Sequence, residues 1–169
     1  MSKSRRDYTR PKHIAAAAGL IILTALLQTT DGLFPRPFGA AAFLLIPAAV
    51  CCAMFENELA GLTYGLLAGL LWDCANLRLN FHAIFLCIIG CAVSAVVRRK
   101  MRNTLAAAML LSALALFGYL LAAWVFAGHT AAAFVRFTLP SLAYSLLFTP
   151  LYYALFGAIS KRWRIRMAA

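Results

Sequence analysis

Apolar residues fill six long runs, at 13–28, 39–55, 59–77, 81–97, 103–127 and 140–160, and polar residues gather in the gaps between them. A helix needs roughly 17–25 mostly apolar residues to cross about 30 Å of hydrocarbon, and the runs are of about that length. The third reaches it only by continuing past Trp72, which places Asp73 near the membrane boundary. The pattern predicts an all-α polytopic membrane protein, a compact bundle of about six transmembrane helices. Prolines add detail. Pro35 and Pro37 keep the first gap a turn-rich loop, and Pro47 should kink the second span. Pro140 opens the sixth span and Pro150 kinks it. Residues 131–137 read as a segment lying along the membrane surface.

In the third run glycine recurs at every fourth position, and the next step of four lands on a carboxylate: Gly61, Gly65, Gly69, Asp73. In a helix these four share one slowly drifting stripe. Helices in lipid associate largely through close van der Waals contact, so a smooth stripe invites another backbone. Two uses are open at this point: packing within the bundle, and docking a helix of another protein. Asp73 is costly beside hydrocarbon, and the negative end of its own helix raises the cost. It therefore needs compensation, for which Arg36, Arg78 and His82 are the candidates. The sixth span carries a second ladder at the same spacing, Ser141, Ser145 and Thr149, with Tyr152 and Tyr153 near it. Such hydroxyls can line a small cavity, bond across helices or satisfy backbone freed by Pro150.

Composition narrows the class. The chain is 64% hydrophobic and 12% charged, against roughly 45–50% and about 25% for a soluble domain. That leaves room for one membrane domain, 13–160, between a basic amino terminus, 1–12, and a basic carboxyl terminus, 161–169. The net charge of +11 does not point to nucleic acid, because the cations are segregated. Three blocks, at 3–12, 98–102 and 161–166, hold 13 of the 16 Lys and Arg, and all three fall on one side of a six-span topology. By the positive-inside rule both termini are cytoplasmic, and anionic lipid is the expected counter-charge. The first run resembles a signal peptide without a cleavage site and reads as an uncleaved span. Catalysis finds little to work with. His13, His82 and His129 lack metal-ligand spacing, and no nucleophile elbow or phosphate-binding loop occurs. The expectation is a protein that is not an enzyme and has no cofactor.

The order of these features resembles a known family. A basic amino terminus and first span lead to an outer turn with Arg36-Pro37. Then come Gly61, Gly65, Gly69 and Asp73, a short loop, and Ala83 at the next helix start. This is similar to MreD, the bacterial rod-shape-determining membrane protein, over nearly the whole chain. One departure is the loop before the fourth span, where Leu79-Asn80-Phe81-His82 stands in place of a glycine. The resemblance implies a non-enzymatic scaffold in the bacterial inner membrane. It would bind the single-span protein MreC and, through it, MreB and the wall synthases that build peptidoglycan along the side wall. MreD is in turn distantly similar to the substrate-binding subunits of energy-coupling-factor vitamin transporters. A vitamin-binding subunit is therefore the alternative, which requires convergent polar groups in the outer half.

Overall fold

The computed structural model describes residues 4–30, 42–76, 82–99, 103–127 and 131–168, with side chains over 14–30, 42–76, 82–99, 103–125 and 139–161. The described residues form seven helices and no strand: α1 (Ser4–Thr29), α2 (Leu45–Phe55), α3 (Glu58–Ala75), α4 (His82–Arg99), α5 (Leu105–Ala127), α6 (Ala131–Leu147) and α7 (Thr149–Ala168). Among the described residues three stretches are long and apolar enough to cross a membrane: His82–Arg99, Leu105–Val125 and Leu139–Lys161. Ile14–Thr29 and α2 are apolar but shorter. The all-helical class is as expected, and the three long stretches are consistent with a membrane protein. Helices α1 and α7 continue through the basic segments assigned to the termini.

The second run differs most from expectation. Instead of a full span over 39–55, residues 42–44 are non-helical and α2 has only 11 residues. At 1.5 Å per residue it is about 16 Å long, half the hydrocarbon thickness. Every residue from Leu45 to Met54 is buried, and the helix is apolar on all sides, so nothing on it opposes a place at the centre. Helix α2 is the hub of the bundle, in contact with α1, α3, α4, α5 and α7.

A buried helix end leaves orphan backbone groups that neighbours must satisfy. Four side chains do so here. At the start, Phe43 N–H donates to Ser145 Oγ (2.9 Å) and Leu45 N–H to Gln28 Oε1 (2.8 Å). At the end, Ser94 Oγ–H donates to the Ala53 carbonyl (2.7 Å) and Asn103 Nδ2–H to the Met54 carbonyl (3.1 Å). Pro47 produces no kink. It occupies the first turn of α2, where its missing N–H would have had no intrahelical partner.

The other prolines also read differently in three dimensions. Pro140 lies inside α6, which begins at Ala131, so the surface segment at 131–137 is the first part of that helix. The break comes at Phe148, between α6 and α7 and two residues before Pro150. There Phe148 N–H turns back to the Ser145 carbonyl at 3.3 Å, and Tyr152 N–H resumes the ladder on the Phe148 carbonyl at 3.1 Å.

Candidate functional site

Helices α3 and α4 form an antiparallel pair whose contact is almost backbone on backbone. A methyl group at Gly61 would collide with the Gly90 carbonyl oxygen and Ser94 Oγ. At Gly65 it would strike the Leu86 carbonyl, and at Gly69 the backbone of His82 and Ala83. Gly90 answers Gly61 reciprocally. The whole stripe therefore faces α4, leaving no room for a foreign helix against it.

The fourth step of the stripe delivers Asp73 to the start of α4. Its Oδ2 accepts from Ala83 N–H at 3.1 Å, in the first turn of that helix. Its Oδ1 lies 2.6 Å from His82 Nδ1. The carboxylate is 5% exposed and the imidazole 18%. This geometry resolves the dipole objection. Asp73 sits near the unfavourable end of α3, but it caps the favourable, positive end of α4. The next link is Tyr119 of α5, whose Oη is 2.9 Å from His82 Nε2. With Asp73 ionised, a carboxylate can only accept, so Nδ1 carries a proton. Nε2 then accepts from the phenol in the neutral ring, or donates to its oxygen in the imidazolium. Both charge states leave every polar atom of the chain Asp73–His82–Tyr119 paired.

Aromatic rings wall this chain in. Trp72 stacks on His82 with centroids 4.5 Å apart and planes at 22°. Trp72, Tyr119 and Phe43 contact one another at 5.2–5.7 Å, and Phe85 adds a contact to Tyr119 at 5.6 Å. Offset and tilted pairs at such distances contribute about 0.5–1.5 kcal/mol each beyond their burial. Asn76 is also committed locally, donating from Nδ2 to the Trp72 carbonyl at 2.9 Å.

The remaining sequence candidates separate. His82 is the compensating partner of Asp73 within the described residues, whereas Arg36 and Arg78 fall outside them. Ser145 does bond across helices, accepting from Phe43 N–H and donating to the Ser141 carbonyl. It is remote in role from Asp73 and belongs to the α2 anchor. Thr149 is fully buried. Its carbonyl accepts from Cys51 Sγ at 3.7 Å, and its hydroxyl has no hydrogen-bond partner among the described residues. Sequence reasoning missed Tyr119, Gln28 and Asn103. The signal for the amides was their presence at the ends of apolar runs. Tyr119 lies within the long apolar fifth run, and nothing local marks it.

No family model, curated protein or solved structure matches the chain.

Proposed function

We propose that this chain is a non-enzymatic membrane scaffold of the bacterial cell-elongation complex, an MreD-like protein that binds an MreC-like single-span partner. The support is the ordered set Arg36-Pro37, Gly61, Gly65, Gly69, Asp73 and Ala83. One observation carries the scaffold part of the reading: the polar groups gathered at Asp73 are spent on one another. Asp73, His82, Tyr119, Asn76 and the Ala83 N–H form internal bonds, and aromatic rings pack against them. A constellation closed on itself suits a rigid brace better than a substrate site.

The vitamin-subunit alternative calls for a cavity lined by convergent polar groups. Among the described residues, Phe43, Trp72, Tyr119 and Phe85 occupy that end of the bundle with ring on ring. On the scaffold reading the basic ends of α1, α4 and α7 face the cytoplasm, where anionic lipid and cytoplasmic partners lie.

The test is affinity capture of the tagged full chain from its native membranes, followed by identification of co-purifying proteins. Stoichiometric recovery of an MreC-like single-span protein is the expected result. Recovery of an ATP-driven transport module in its place, with a vitamin raising the melting temperature, overturns it.

A further inference from the structure

Helix α4 meets α5 poorly below the His82–Tyr119 bond. Between them runs an apolar groove of about 290 Å³, lined on α4 by Phe85, Ile89, Ala92 and Val93 and on α5 by Leu111, Leu114, Ala115 and Gly118. The small residues Ala92, Ala115 and Gly118 create it. A methyl group placed on Gly118 would have nothing within 4 Å. The groove is bounded at one end. Phe85 and Gly118 mark that end, where His82 Nε2 and Tyr119 Oη bridge the two helices one turn further on. In the opposite direction α4 ends in Arg98 and Arg99, and Lys100 and Arg102 follow in sequence. Arg99 stands two turns, about 10 Å, beyond Ala92 on the same helical face. It is 75% exposed, with Glu58 at a loose 3.8 Å as its partner.

We propose that this groove binds one acyl chain of an anionic phospholipid, whose phosphate sits on Arg99. Three observations select that occupant. The groove holds about 290 Å³, less than a single turn of a helix about 10–12 Å across would occupy. Its lining is hydrocarbon, so it takes a tail and leaves the head outside. Beyond the other end of its lining stand Arg98 and Arg99, so the head that fits is negatively charged. A leaflet supplies about 15 Å of chain, half the hydrocarbon core, enough to run from Arg99 into the middle of the groove. The assignment does not rest on the MreD reading.

The experiment uses the purified full chain in bilayer nanodiscs. The probes are phosphatidylglycerol and phosphatidylcholine, each with a photoreactive group near the end of one acyl chain. The expected result is preferential labelling of Ile89, Leu111 and Leu114 by the phosphatidylglycerol probe. Arg99→Gln should cut that preference about fivefold, the equivalent of one basic residue near an anionic headgroup. Gly118→Leu, at a position with open space, and Ala92→Leu, at an exposed position of the lining, fill the groove and should abolish labelling there while the protein stays folded. Equal labelling by both lipids overturns the proposal. So does labelling spread evenly onto Ile84, Ile88 and Leu121, or labelling that survives groove filling. Loss of a co-purified single-span protein in Gly118→Leu, with lipid labelling unchanged, also overturns it and gives the groove to a partner helix.

Discussion

On one face of α4, Gly90 and the backbone of Leu86 and Ala83 lie against a glycine ladder, and Asp73 fastens the end through two bonds. On another face, α4 and α5 share one side-chain hydrogen bond, His82 to Tyr119, and then part around an apolar groove. Both seams use small residues. Toward α3 the smallness is filled by backbone; toward α5 it is left open. A glycine or alanine in a membrane helix therefore says only that there is room for something to come close. Whether that is a neighbouring helix or lipid depends on the opposite wall, which the glycine itself does not report.

This contrast breaks most severely at Gly65. Gly65→Leu should prevent α3 and α4 from closing, costing at least about 3 kcal/mol, since the obstacle is backbone and cannot rotate away. The expected readout is loss of the monodisperse detergent-solubilised species and of cooperative thermal unfolding. Asp73→Ala should come next, at about 2–3 kcal/mol, because it strands the Ala83 N–H and His82 Nδ1 in a buried setting. Thermal melts followed by Trp72 fluorescence check it. Tyr119→Phe should cost only about 1 kcal/mol and should loosen α5 while sparing the α3–α4 pair. Hydrogen exchange should rise in α5 near Tyr119 and stay unchanged in α3. Gly118→Leu should move stability by no more than about 0.5 kcal/mol, despite being the same chemical change as at Gly65. A large loss at Gly118 would erase the distinction between the two seams.

The sequence made the helices legible wherever an apolar run was long and its ends were polar, as for α4 and α5. It also marked Asp73 and offered His82 as a partner, since an isolated carboxylate in such a chain must be answered by something. The use of the ladder stayed undecided because spacing identifies a smooth face and not what lies against it. Tyr119 was hidden for a related reason: it sits 37 residues beyond His82, and only the fold joins them. The clearest error concerned 39–55. Length suggested a span and Pro47 a kink, and composition could not separate a buried half-helix from a span, because α5 is as apolar all round as α2. The side chains that hold the ends of α2 come from distant parts of the chain, and Pro47 falls in its first turn. The α3 stripe therefore organises one interface, while α2 organises the bundle.

The anchoring of α2 also constrains how the protein is made. The hydroxyl that accepts from Phe43 N–H belongs to Ser145, 102 residues downstream. At translation rates of about 5–20 residues per second, it is synthesised some 5–20 s after its partner. For that interval the nascent chain holds a half-length apolar segment with an unanswered amide. It must be sheltered by the insertion machinery or wait at the bilayer surface. A ribosome stalled before Ser145 should leave this segment open to aqueous thiol reagents at Cys51 and Cys52, and release of the full chain should seal it.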